Sequence, residues 1–233
     1  MCRESNWRDV LMIELVVFDM AGTTVDEDNV VYKTVRAAIN SAGYSFTQDQ
    51  VQAAGAGKEK SQAIRDVLAL DNAEHDDDEV QAIFAEFKRL LSAAYLELDV
   101  REQPHTTAVF KALRERGIKV VLNTGYDRKT AQALIDKIGW KLNENFDSLV
   151  TASDVANGRP APDMIYLAMD RVGVVESNAV VKIGDSQIDI EEGQNSKCGL
   201  TIGITTGAQT EAQLLEANPS HIIHGLNELL DLI

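Results

Sequence analysis

Cysteine, proline and aromatic residues are all scarce in this 233-residue chain, and no stretch of it is uniformly apolar. Two cysteines, Cys2 and Cys198, are too few for a disulfide framework and suit a reducing compartment. Cys2, near the terminus, is expected to be exposed and without a role. No run approaches the ~20 apolar residues of a membrane span, and Glu14 interrupts the first candidate. The first residues also lack the basic, apolar and small-residue succession of a signal peptide, so a cytoplasmic location is expected. The four histidines, His75, His105, His221 and His224, keep no spacing with Cys or carboxylates that suggests zinc, and the last two read as edge or turn residues. Basic charge is in short supply too: 22 Lys and Arg against 37 Asp and Glu leave a formal charge of −15. Such a surface repels nucleic acid and anionic lipid, so neither is expected as a partner. A small anionic ligand must then be met by a local cationic pocket.

What is present is a series of short buried strands, each closed by a polar residue. Leu15-Val16-Val17-Phe18 is branched and aromatic throughout and ends in Asp19. Ile118 to Leu122 repeats the pattern and ends in Asn123-Thr124-Gly125, and Val180 to Gly184 ends in Asp185, with Asp189 four residues on. Between residues 105 and 204 helix and strand alternate: helices 105–116, 128–138, 163–173 and 187–196, strands 118–123, 147–150, 179–183 and 200–204. That alternation predicts an α/β fold with a doubly wound, Rossmann-like parallel sheet. From 29 to 104 no buried strand occurs, and apolar residues recur at helical spacing, as in Val80, Ile83, Phe84, Phe87, Leu90, Leu91. The expected organisation is a core of residues 13–28 and 105–233 interrupted by a helical cap of residues 29–104. Within the cap, His75 to Glu79 place acids at a helix start, where the dipole favours them. Gly55-Ala56-Gly57-Lys58 is not a nucleotide P-loop, because Glu59 follows the lysine and no strand precedes the glycines.

In an open parallel sheet chemistry gathers at the carboxyl ends of the strands, and there the residues carry a resemblance. Asp19-Met20-Ala21-Gly22-Thr23-Thr24 resembles motif I of the haloacid dehalogenase superfamily, Asp-x-Asp-Gly-Thr, with Ala21 at the position of the second, proton-donating Asp. Thr124 falls in motif II, Arg159 before two prolines in motif III, and Asp185 with Asp189 in motif IV. Ala21 together with Arg159 narrows the resemblance to the phosphonoacetaldehyde hydrolase-like, or phosphonatase, branch. In that branch a cap lysine within Met-Gly-x-x-Lys forms a Schiff base. Lys58 matches it, with Ala54 and Ser61 where the branch carries Met and His, and Lys60 is a candidate second cation.

The resemblance implies a fold, a cofactor and roles. Asp19 would attack phosphorus, and Arg159 and Thr124 would steady the phosphoryl group. The amides of Gly22 and Thr23, with Gly125, would cradle its oxygens. Mg2+ would sit on Asp19, the Ala21 carbonyl and Asp185, with Asp189 a ligand or an outer partner. Lys58 would form the imine that lets carbon leave from phosphorus, which removes the need for an acid at position 21. The expected partner is a small phosphorylated or phosphonate substrate, specifically a 2-oxoalkylphosphonate, and a homodimer is possible. Two alternatives stay open from the residues: a phosphate-ester hydrolase of the same superfamily, and a catalytically silent phospho-ligand binding protein.

Overall fold

In the computed structural model, which describes residues 12–71 and 75–233, the run ending at Asp19 is strand β1 (Leu15–Asp19), with all five residues buried. Cys2 lies outside the described residues. Successive side chains of a strand face opposite ways, so a strand apolar throughout has to be covered on both sides. Val16 and Phe18 pack with Phe110, Leu134 and Ile135 on one face, and Leu15 and Val17 with Met164, Ile165 and Ala168 on the other.

After β1 the chain leaves the sheet. A two-residue strand β2 (Val25–Asp26) leads into helices α1 (Val30–Ser41), α2 (Gln48–Gly55), α3 (Lys60–Leu68) and α4 (Asp77–Glu97). It returns through β3 (Arg101–Glu102), which pairs antiparallel with β2. The sequence pattern contains no hint of this ribbon, since two residues are too short to show a period. The helix starts follow capping chemistry. Thr47 and Gln50 form a capping box on α2, the Glu59 carboxylate accepts the Ser61 and Gln62 amides on α3, and Asp76 accepts the Glu79 amide on α4.

The remainder alternates as expected: α5 (Thr106–Glu115), β4 (Lys119–Thr124), α6 (Arg128–Ile138), β5 (Ser148–Thr151), α7 (Asp163–Val172), β6 (Val180–Gly184), α8 (Gln187–Asn195), β7 (Leu200–Ile204), α9 (Glu211–Glu216) and β8 (His221–Ile223). Bounds read from the sequence fall within one residue of those observed for the elements between 105 and 204. The six long strands form one parallel sheet in the order β5-β4-β1-β6-β7-β8. The order reverses at β1, between β4 and β6, which is where such sheets open a crevice at their carboxyl ends. In register, Asp19 lies beside Asn123, and Phe18 beside Ile183, two residues before Asp185. No helix among the described residues is long and apolar enough to cross a membrane.

Phe110 is fully buried with its ring centroid 5.1 Å from Phe18 and 5.3 Å from Trp140. Phe110→Ala should lower the unfolding free energy by about 3–5 kcal/mol, measured by urea denaturation with an unchanged m-value.

Candidate functional site

The loop after β1 is tied down before any ligand arrives. The Thr24 hydroxyl donates to the Asp19 carbonyl at 2.9 Å, the Gly22 amide to the Val25 carbonyl at 2.9 Å, and the Thr23 amide to the Met20 carbonyl at 3.2 Å. This corrects one expectation: the Gly22 and Thr23 amides are spent inside the turn and do not face outward as a phosphate cradle. The Thr23 hydroxyl, by contrast, is buried without a partner. Gly22 adopts a left-handed φ of 81°, and a Cβ there or on Gly207 would collide with the Asp185 carboxylate. Asp185 is therefore clasped between two stretches of bare backbone, and its Oδ2 accepts the Ala208 amide at 2.6 Å.

Arg159 reaches into the crevice and is 9% exposed. Its Nη1 pairs with Asp19 Oδ1 at 2.8 Å and Asp189 Oδ1 at 2.9 Å, and its Nε with Glu192 Oε2 at 3.0 Å. Its Nη2 donates to the Asn123 carbonyl at 2.9 Å and also to the Asn123 side chain. Lys182, on β6 and almost wholly enclosed, adds pairs to Asp189 at 2.9 Å and Glu192 at 3.3 Å. Ser186 donates to the second oxygen of Asp189 at 2.5 Å. Thr124 is buried at the end of β4, and its Oγ1 accepts the Tyr126 amide at 3.2 Å, which leaves its proton available.

The charges do not balance. Among the described residues, Asp19, Asp185, Asp189 and Glu192 are buried with the paired cations Arg159 and Lys182, and a third buried cation, Lys60, lies near a fifth buried carboxyl, Glu27. Burial pushes up the carboxyls of both Asp19 and Asp185. For Asp19 the Arg159 charge opposes this, whereas the neighbouring charges of Asp19 and Asp189 push Asp185 further, well above the usual carboxylate range. Asp189 is also buried, yet Arg159, Lys182 and the Ser186 hydroxyl outweigh that and hold it low. Among the described residues no cationic side chain pairs with Asp185. Carboxylate oxygens of Asp19, Asp185 and Asp189 lie within 4.8 Å of one another. A buried set of hard oxygen donors short of positive charge fits a divalent cation.

The two lysines of the insertion part company. Lys58 is one-third exposed, and its Nζ pairs with Asp66 at 2.5 Å, so it is not brought to the carboxylate cluster. Lys60, expected only as an auxiliary cation, is 6% exposed. Its Nζ donates to the Lys58 carbonyl at 2.7 Å, contacts the Tyr32 hydroxyl at 3.4 Å, and stands 4.9 and 5.7 Å from the ring centroids of Tyr32 and Tyr126. Burial lowers its pKa to about 8, partly offset by the Asp19 charge. The physical reason is local. Lys58 ends a turn whose Gly57 has φ 72° and lies hard against Ile188 and Ser186 of the core, and Gly125 approaches the Gly57 and Lys58 carbonyls. The backbone thus plugs the crevice at 57–58, and the first turn of α3 swings Lys60 inward.

The signal for Lys60 was in the sequence, because Gly57-Lys58-Glu59-Lys60 repeats the Gly-x-x-Lys spacing two residues later. Lys182 also went unassigned, although a lysine between Val181 and Ile183 in a buried strand has to be paired. Glu27, Tyr32 and Tyr126, the buried polar residues around Lys60, carried no sequence signal. Burial pushes the Glu27 carboxyl up to about 8.

A family model described as haloacid dehalogenase-like hydrolase matches residues 13–197. The chain is 32% identical over 195 residues to a bifunctional phosphonoacetaldehyde hydrolase/aminoethylphosphonate transaminase of Clostridioides difficile, covering 79% of this chain and 30% of that protein's length. It is 30% identical to the phosphonoacetaldehyde hydrolase of Parabacteroides distasonis, covering 83% of this chain and 76% of the relative. Among solved structures, a phosphonoacetaldehyde hydrolase-like protein of Oleispira antarctica superposes with a TM-score of 0.80 at 22% identity, covering 95% and 91% of the two chains. A predicted phosphoglycolate phosphatase of Haemophilus somnus gives 0.78 at 18% identity, covering 96% and 99%.

If the triad takes a divalent cation, Mg2+ at a hundred times its Kd should raise the unfolding free energy by about 2.7 kcal/mol. Asp185→Asn should abolish that shift and, with chelator present, should melt above the native chain because a repelled buried charge is gone. A Mg2+ shift of native size in the variant, read by calorimetry, would remove Asp185 from the ligand set.

Proposed function

The chain belongs to the haloacid dehalogenase-like hydrolases, in their phosphonoacetaldehyde hydrolase-like branch, and from that premise we propose that it cleaves the C–P bond of a small 2-oxoalkylphosphonate, with Lys60 in the role that the resemblance implied for Lys58. The observation that carries this reading is a pairing: an alanine where an ester hydrolase needs an acid, and a lysine, Lys60, buried beside the rings of Tyr32 and Tyr126 and subject to the charge of Asp19. A lysine buried next to aromatic rings pays for its desolvation with lost basicity, and that is what makes an amine nucleophilic near neutral pH.

The steps follow from these residues. The neutral amine of Lys60 adds to the substrate carbonyl and water leaves, giving a protonated imine. Asp19, oriented by Arg159, attacks phosphorus in line. The C–P bond breaks, its electron pair becomes a C=C bond, and the C=N π pair moves onto the Lys60 nitrogen to give an enamine, so no leaving oxygen requires a proton and Ala21 suffices. Protonation at carbon and hydrolysis release the carbonyl product and restore Lys60, and water cleaves the aspartyl phosphate. Thr124, and the unpartnered hydroxyl of Thr23, would donate to phosphoryl oxygens. Mg2+ on Asp19, Asp185 and the Ala21 carbonyl, with Asp189 behind them, would supply the positive charge that lets a carboxylate approach an anionic phosphorus. The inserted helices, residues 29–104, would act as a cap over the core of residues 13–28 and 105–233, delivering Lys60 to the crevice.

Borohydride added during turnover of phosphonoacetaldehyde should attach the two-carbon skeleton to Lys60, located by peptide mass spectrometry. Lys60→Arg should lose cleavage by at least about 10³-fold, while Lys58→Arg stays within a few-fold of the native rate. An adduct on Lys58 would return the role to that residue. Hydrolysis of simple phosphate esters without any oxophosphonate cleavage would favour the ester-hydrolase reading instead.

Only the unprotonated amine adds to a carbonyl, and burial brings the Lys60 pKa down to about 8. Adduct formation at subsaturating substrate should therefore rise with pH and reach half its plateau near that value. A flat profile from pH 6 to 9 would contradict imine formation at this lysine. Asp19→Asn should trap no aspartyl phosphate, yet should still give the Lys60 adduct, because imine formation precedes attack on phosphorus.

A further inference from the structure

Between the inserted helices and the core runs a cavity of about 680 Å³ that Lys60 itself lines, together with Tyr126 of the loop after β4 and Phe84, Phe87, Leu91 and Tyr95 along one face of α4. We infer that this cavity receives the second substituent of the substrate carbonyl, so that the preferred substrate is a ketone carrying an extended apolar or aryl group rather than an aldehyde. The inference rests on the imine role of Lys60 proposed above.

A carbonyl carbon joined to Lys60 has two other substituents. One is the CH2–P arm, which has to point at Asp19 for in-line attack. The other must leave on the opposite side. Lys60 Nζ stands between two aromatic rings, Tyr32 and Tyr126. Tyr32 also lines a separate, smaller cavity of about 220 Å³ that contains Ala21, Gly22 and Asp185, on the side of the carboxylates. Tyr126 lines the large one. The large cavity is thus the continuation of the site on the side away from phosphorus.

Its size and lining then decide what the group is. An aldehyde places only a hydrogen there and leaves the space empty, whereas 680 Å³ is in the range of cavities that enclose whole drug-sized ligands. From α4 the cavity is lined mainly by the stacked rings of Phe84 and Phe87, with centroids 6.0 Å apart, and by Leu91 and Tyr95, with Lys88 and Ser92 beside them. Such walls gain from every methylene they cover. At ordinary hydrophobic increments each added methylene should raise kcat/KM by about fourfold until the cavity is filled.

The test measures phosphate release by the full chain with Mg2+ across 2-oxoalkylphosphonates whose carbonyl substituent is hydrogen, methyl, propyl, pentyl or phenyl. The expected result is a kcat/KM that climbs through pentyl and is high for phenyl. Ala133 and Ser92 line the cavity from α6 and α4 and are both solvent-exposed, so Ala133→Trp and Ser92→Trp should fold normally while filling the space. Each should cut the pentyl and phenyl rates by at least tenfold and leave the hydrogen and methyl substrates unchanged. A kcat/KM that is greatest for the aldehyde and falls with length, or a loss shared equally by all substrates in both variants, overturns the inference and leaves the C–P cleavage reading intact. If no member of the series is cleaved and none gives a Lys60 adduct, the reading of the reaction fails, and the ketone preference with it.

Discussion

Everything at this site depends on one buried guanidinium. Arg159 comes from the loop before α7, yet it joins the end of β1 through Asp19, the end of β4 through Asn123, and α8 through Asp189 and Glu192. A planar cation with five donors can serve that many acceptors at fixed angles, which a lysine cannot. Removing one partner of a buried pair costs several kcal/mol because the other is left charged and dry, so the cluster holds as a unit. Lys182 reinforces it from β6, pairing with the same Asp189 and Glu192. The two cations pair with Asp189, whereas among the described residues no cationic side chain pairs with Asp185, whose Oδ2 accepts the Ala208 amide.

This arrangement explains why so few of the 22 basic residues matter to the chemistry. A chain with a net charge of −15 does not attract an anion from a distance. It can only bind one by concentrating its cations where the strands end and removing water from around them. Burial works against the charge of both Arg159 and Lys60; the carboxylates of Asp189, Asp19 and Glu192 overcome it at Arg159, whereas at Lys60 burial prevails and its pKa falls.

The sheet was legible in the sequence because its central strands are buried on both faces and so are written as mainly apolar runs, with Lys182 an exception inside β6, each closed by a polar residue. Asp19, Thr124 and Asp185 could be placed because strand ends are fixed points in such a fold, whereas Arg159, in a loop, was named only by the resemblance. Which of the two lysines of the insertion is buried could not be read, for a reason of the same kind. In a loop there is no period to say which side chain faces inward, and both Lys58 and Lys60 sit at an acceptable distance from a glycine. The decision was made by Gly57 pressing against Ile188 and Gly125, a contact between residues 131 and 68 positions apart that no local pattern records. The spent amides of Gly22 and Thr23 were hidden likewise, since a turn that closes on its own carbonyls cannot be told from an open one by composition.

The close seating of the Gly57–Lys58 backbone on the core gives the insertion a timing role on the reading proposed here. While substrate is joined to Lys60 and phosphorus to Asp19, the ligand is a cross-link between two layers of the protein that otherwise meet through the β2–β3 ribbon and surface contact. The layers cannot part until carbon and phosphorus have separated, so the bond being broken is also the latch.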